Sequence, residues 1–364
     1  AETVLNITGG EFTIESGGGS ANASTSSDGG WNSGWGSWGG FGGFGGTTQT
    51  TADEASAKGL KAGTELIITD GTFSLDSSDD SIHSNGNIAI TNGIFSLLSG
   101  DDGIHADTNL AVSGGTIDIG KSYEGIEATN VTISGGTISI VASDDGINGA
   151  GGNDGSSLGG RPGQGVFTGS TGTITISGGY IVVDASGDGI DSNGTLTVTG
   201  GITLVAGPTN SGNGAIDYET SGTVTGGIVI ALGASGMAQG FSAAENQGAI
   251  LCSFSTQSAG QSFCICDADG TVIASFTALK SYQSAVITAP GIQSGSTYTL
   301  YSGAVITDAD ENGFAQDTTK TGGTVITQIT MTSNLYGSSG SGIGGMPGGI
   351  GGDPGGKGGG GMRP

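Results

Sequence analysis

Residues 93–152 read GIFSLLSGDDGIHADTNLAVSGGTIDIGKSYEGIEATNVTISGGTISIVASDDGINGAGG, and this stretch decides the fold. It holds one unit of about 22 residues written nearly three times: a strand, a Gly-Gly corner, a second strand and an acidic corner. The acidic corners, followed outward from Gly59 to Gly227, are Asp79-Asp80-Ser81-Ile82, Asp101-Asp102-Gly103-Ile104, Tyr123-Glu124-Gly125-Ile126, Asp144-Asp145-Gly146-Ile147 and Gly187-Asp188-Gly189-Ile190.

The register can be checked residue by residue. The second glycine of the first corner is Gly10, Gly71, Gly93, Gly115, Gly136, Gly179, Gly201 and Gly227. Three residues before it stand Ile7, Ile68, Ile90, Val112, Ile133, Ile176, Val198 and Val224. Two after it stand Phe12, Phe73, Phe95, Ile117, Ile138, Ile181 and Val229, with the segment from Gly201 to Leu204 reading one residue short. Apolar residues alternate with Thr, Ser or Asp at period two, and β-branched residues dominate, which means strands. A constant period with no helical pattern predicts a right-handed parallel β-helix, a solenoid of about 22 residues per turn, in which stacking buries the apolar columns that no single turn can bury. A β-sandwich of hairpins is the alternative, but hairpins would not hold one register over so many repeats.

Composition narrows the partners. The chain has 364 residues, 79 of them Gly without a three-residue period, so collagen is excluded. Its formal charge is −25 with only 8 Lys plus Arg. That balance argues against nucleic acid or an anionic membrane and suits cations, or ligands reached through cations. No apolar run is long enough to span a bilayer. The first residue is Ala1 and no signal peptide precedes it, so the start reads as processed or cut.

Two Gly/Ser-rich insertions break the register, at about 16–57 and 149–169, and read as mobile surface loops within a parallel region spanning 1–236. Beyond it the repeat stops. Segments 249–255, 262–267, 271–277, 285–288, 297–302 and 324–330 read as ordinary strands, with Asp267-Ala268-Asp269-Gly270 as a turn, giving a small antiparallel β unit over 237–336 that closes the open end of the sheet. The Gly-rich stretch 337–364 reads as a disordered tail.

The motifs SDDSIHSNGN, GDDGIHAD, KSYEGIEATN and ASDDGINGAGG together, with KSYQSAVITAPGIQSGSTYTLYSG and the closing GGGGMRP, resemble a bacterial family of secreted carbohydrate-binding parallel β-helix proteins. The resemblance covers nearly the whole chain. It implies calcium, a place in secretion or at the cell surface, and plant cell-wall polysaccharide, pectic polygalacturonate and cellulose, as ligand. It also implies further turns ahead of AETVLNITGG, so the chain is expected to be truncated there, with an unprotected strand edge over 1–8 that promotes self-association.

Stacking the corners places Asp80, Asp102, Glu124, Asp145 and Asp188 in one column and Asp79, Asp101 and Asp144 in a second. Carboxylates about 4.8 Å apart repel by roughly 0.9 kcal/mol per pair even at the dielectric of water. The chain is poor in Lys and Arg, and one Ca2+ takes oxygen ligands at about 2.3–2.6 Å from neighbouring turns, so these eight acids are the expected calcium ligands. The bland reading is that Asp-Gly simply makes turns. One residue after each Ile come His83, His105, Glu127, Asn148, Asp191 and Asp217; His83, His105, Glu127 and Asp191 are the candidate ligand-binding residues. For the two histidines three roles fit: a transition-metal ligand, a hydrogen bond to sugar, or exposed side chains bonded to neighbouring carboxylates.

Trp31, Trp35 and Trp38, with Phe41 and Phe44, lie in one Gly-rich loop and could stack on sugars or serve adhesion. Cys252 and Cys264 could face each other across a hairpin, but all three cysteines, Cys266 included, also alternate as small core residues. No catalytic residue is assigned. A calcium-dependent polysaccharide lyase is the alternative function and would need a base; Arg161 and Lys121, the latter expected to pair with Glu124, are the candidates. A structural surface adhesin is the third reading. The leading one is calcium-dependent binding of acidic polysaccharide without catalysis.

Overall fold

The structure is a computed structural model that describes residues 1–23, 57–150 and 172–337. The Trp/Phe loop, Arg161, most of the two insertions and the tail beyond residue 337 lie outside the described residues.

The strands form where the alternation placed them. Glu65–Ser77 buries Leu66 and Ile68, turns at Gly71 and buries Phe73 and Leu75, with the residues between them facing outward. At Gly71 φ is 136°, a conformation that a side chain resists. Such units pair in parallel along three ladders. The first aligns Leu60, Ile82, Ile104, Ile126, Ile147 and Ile190. The second aligns Ile7, Ile68, Ile90, Val112, Ile133, Ile176, Val198 and Val224. The third aligns Ile14, Leu75, Leu97, Ile119, Ile140, Val183, Val205 and Ala231. Side chains from all three ladders belong to one buried core. Within it Phe12, Phe73 and Phe95 stack with centroids 4.9 and 4.6 Å apart, an arrangement in which each ring covers its neighbour's face.

The expected right-handed parallel β-helix of about 22 residues per turn is corrected. The protein is all-β, with its parallel strands closed into a barrel-like core to which extra strands are joined. Hydrogen-bonded partners on neighbouring tiers are 21, 22, 26 or 43 residues apart rather than evenly spaced. Sequence period reports which side chains face inward; it does not report how the ladders close around them. A smaller correction concerns Gly201 to Leu204. Ile181 aligns with Thr203, and Thr203 with Val229, so no residue is missing there. A buried threonine occupies the apolar position and disguises the repeat.

The last strands reverse direction. Tyr282–Thr288 runs antiparallel to both Ile228–Gly233 and Ala249–Gln257, so it is part of the main sheet. A second sheet orders Val272–Thr277, Ser262–Cys266, Thr297–Ile306 and Lys320–Thr330. It packs on the outside of the parallel core. Along the third ladder the outward column reads Ser74, Ser96, Asp118, Ser139 and then Val182, Leu204, Ile230. The change from polar to apolar marks where Phe263, Ile265, Phe276 and Leu300 cover the ladder. Lys280 pairs with Asp184 at 2.7 Å and Tyr180 donates to Asp310 at 2.6 Å across the same junction. Cys252, Cys264 and Cys266 are free and buried; Cys252 stands opposite Ala285, so the cross-strand disulfide does not form.

Candidate functional site

The acidic corners lie at the entry to the first ladder, where the chain turns between stacked strands. Asp80, Asp102 and Glu124 are buried, not displayed. Their first task is local. The Asp80 carboxylate accepts the backbone N–H of Asp102 at 3.1 Å, and the Asp102 carboxylate accepts that of Glu124 at 3.2 Å. Asp145 accepts the N–H of Asp188 at 2.6 Å, and Asp188 that of Gly214. Asp80, Asp102, Asp145 and Asp188 thus each satisfy a corner amide on the next tier, an amide that would be costly to bury unpaired. The column therefore has a structural role beyond making turns.

The column does not begin with an acid. Lys58, 22 residues before Asp80, occupies the same corner position one tier earlier, and its ammonium bonds Asp80 and, at 2.9 Å, Asp79. Lys58 was missed in the sequence because the motif there, Lys-Gly-Leu, no longer looks acidic, although the spacing was available. Burial alone would lower the Lys58 pKa, but Asp80 and Asp79 raise it above the usual lysine range.

The residues after each Ile form a register of His83, His105, Glu127, Asn148, Asp191 and Asp217. The histidines are not exposed: His83 is 4 % and His105 1 % accessible. His83 Nδ1 lies 2.7 Å from Asp80 Oδ2. Burial pushes the Asp80 carboxyl up, but the His83 hydrogen bond and the charges of Lys58 and both histidines outweigh it and hold it low. His105 Nδ1 faces Asp102 Oδ2 at 3.3 Å, Glu127 Oε2 at 3.7 Å and Asp80 Oδ2 at 3.8 Å. Asp107, also unforeseen, stands 3.9 and 3.8 Å from the Nε2 atoms of His83 and His105.

Farther along, basic partners disappear among the described residues. Asn148 donates to Glu124 at 2.8 Å. Lys121 does not pair with Glu124; its ammonium donates to the Ser20 carbonyl. Burial, with the charges of Glu127, Asp102 and Asp145, raises Glu124 well above the carboxylate range. Burial and Asp102 push Glu127 up to about 9. Burial and the charges of Asp144, Asp191 and Asp188 push Asp145 to about 8. Burial and neighbouring acids push Asp191 to about 7 and Asp188 to about 6.

The predicted residues thus gather into four groups whose ligand atoms lie within 4.8 Å of one another: Asp79–Asp80–Asp101, Asp80–His83–His105, Asp102–His105–Glu127 and Asp145–Asp188–Asp191. Asp144 stands beside Asp145 and Glu124 beside Glu127, outside these groups. The first group already holds the Lys58 ammonium. The fourth is made of carboxylate oxygens alone, a donor set that fits calcium.

Comparison with known proteins yields one family. A family model described as "Carbohydrate-binding domain-containing protein" matches residues 1–103 and 99–146, a span that includes the acids of every corner except Gly187-Asp188. The match supports carbohydrate binding and a polysaccharide partner. No curated protein and no solved structure matches the chain. No helix of the described residues is long and apolar enough to cross a membrane.

Proposed function

We propose that the protein binds acidic plant cell-wall polysaccharide outside the cell, in a calcium-dependent and non-catalytic way, with polygalacturonate the first ligand to test and cellulose the second. The observation that carries the reading is the carbohydrate-binding family match over residues 1–103 and 99–146, which bear the acid column from Asp79 to Asp145; Asp188 and Asp191 lie beyond the match. Calcium is supported by the group Asp145, Asp188 and Asp191. Among the described residues no Lys, Arg or His pairs with these three acids, and burial, with the charges of neighbouring acids that include Asp144 and Asp217, raises all three pKa values. A divalent ion there would relieve that repulsion. Part-exposed carboxylates could then share it with a sugar carboxylate, which a bare acidic surface repels.

The test is retention of polygalacturonate in calcium and in EDTA, with absorbance from unsaturated products followed in parallel. Retention in calcium, loss in EDTA and no product is the expected outcome. D145N/D188N/D191N should abolish retention while leaving the β-sheet circular dichroism signal in place. Accumulating product would make the protein a lyase, and equal retention in EDTA would remove calcium from the reading.

A further inference from the structure

The acid column contains two chemically different ion environments. Asp145–Asp188–Asp191 offers oxygen only, whereas Asp102–His105–Glu127 offers an imidazole nitrogen between two carboxylates. Hard calcium suits the former; imidazole ligands favour d-block cations.

The geometry points to a zinc-class site made of Asp102 Oδ2, His105 Nδ1 and Glu127 Oε2. Four-coordinate zinc with bonds of about 2.0–2.1 Å places its ligand atoms roughly 3.4 Å apart. His105 Nδ1 lies 3.3 Å from Asp102 Oδ2 and 3.7 Å from Glu127 Oε2, close to that spacing before any ion draws them in. Asp80 Oδ2, at 3.8 Å from the same nitrogen, is committed to Lys58 and His83, so it stands as a neighbour and not a ligand. The far nitrogen, His105 Nε2, has Asp107 at 3.8 Å, longer than a hydrogen bond but on the side from which a carboxylate orients metal-bound histidines.

A second observation comes from Asn148. It is 6 % accessible and aligned with Glu127 on the next tier. Its amide nitrogen donates to Glu124, and its buried Oδ1 has no hydrogen-bond partner among the described residues. Such an acceptor next to the triad suits a solvent molecule completing a four-coordinate ion. Glu127 is the most exposed of the three ligands, with its side chain 15 % accessible, and marks the entry path. The inference is independent of calcium at the other group.

The experiment uses the full chain, stripped with EDTA and freed of it, and titrated with Zn2+, Co2+ and Ca2+ by calorimetry and absorption. One Zn2+ per chain is expected, with Co2+ giving the intense visible bands of four-coordinate geometry and X-ray absorption showing an imidazole nitrogen. H105Q and E127Q should each weaken zinc by at least about 100-fold. D191N should leave zinc unchanged while weakening calcium, which separates the two sites. Absence of saturable zinc binding, an oxygen-only metal shell, or wild-type affinity in H105Q would overturn the proposal. If H105Q does not fold, the wild-type cobalt and X-ray spectra decide it alone.

Discussion

At the scale of single residues, the site is governed by where positive charge is placed among buried acids. Lys58 shows the principle within the chain itself: an ammonium in the corner position holds Asp79 and Asp80 together at one end of the column. Removing it leaves a fully buried carboxylate with only histidine and the Asp102 N–H to compensate. K58M should therefore cost about 3–5 kcal/mol at pH 7, the usual effect of breaking a buried pair from one side. The cost should shrink at acidic pH, because burial without the lysine favours a proton on Asp80 in the variant. Urea unfolding at the two pH values measures both quantities, and an equal loss at both would show that Lys58 acts through packing alone. Of the two corners that lack a doubled acid, the one at Gly187-Asp188 has its own reason. A Cβ at Gly187 would lie 2.3 and 2.4 Å from carboxylate oxygens of Asp145 and Asp144, so glycine there makes room for the acids of the preceding tier.

At the scale of elements, the strand Val4–Ser16 stands apart. Among the described residues it pairs only with Glu65–Ser77, so its other side is a sheet edge there. Val4 is 49 % exposed on it. Edges of this length pair with other chains unless charge, proline or a covering segment prevents it. Concentration-dependent association is the expected behaviour, read by light scattering, and replacing Asn6 by Pro should suppress it by removing an edge N–H. A strict monomer at high concentration would mean that this edge is covered. The opposite end shows how the chain manages the problem. Tyr282–Thr288 lies antiparallel on Ile228–Gly233, and the second sheet buries Leu204 and Ile230 outside the ladder.

At the scale of the whole molecule, folded and unfolded states bind protons differently. Asp145, Asp188, Asp191 and Glu127 titrate at about 8, 6, 7 and 9 in the fold, against about 4 when unfolded. Between those limits the folded state holds protons that the unfolded state has released. Stability of the metal-free protein should thus fall as pH rises from about 5 to 9. Divalent cations should restore it at the alkaline end, where the carboxylates are free to bind them. Thermal melts in chelator across that range test the sign, and a rising melting temperature would refute it. The same comparison of scales separates what was legible in the residues from what was not. Sequence alone determined the strands, their inward faces and the register of acids and histidines, because period-two alternation and a near-constant repeat are local properties. It determined none of the closure. How the ladders close into a barrel-like core, that Tyr282–Thr288 belongs to the main sheet, and that the change from Ser139 to Val182 marks a packed outer face all depend on contacts between distant segments. Burial of His83 and His105, the grip of Lys58 on Asp80 and the oxygen-only group at Asp191 were likewise decided by the tertiary structure. A side chain's charge is written in its residue type, but its desolvation and its neighbours are set only when separate tiers stack.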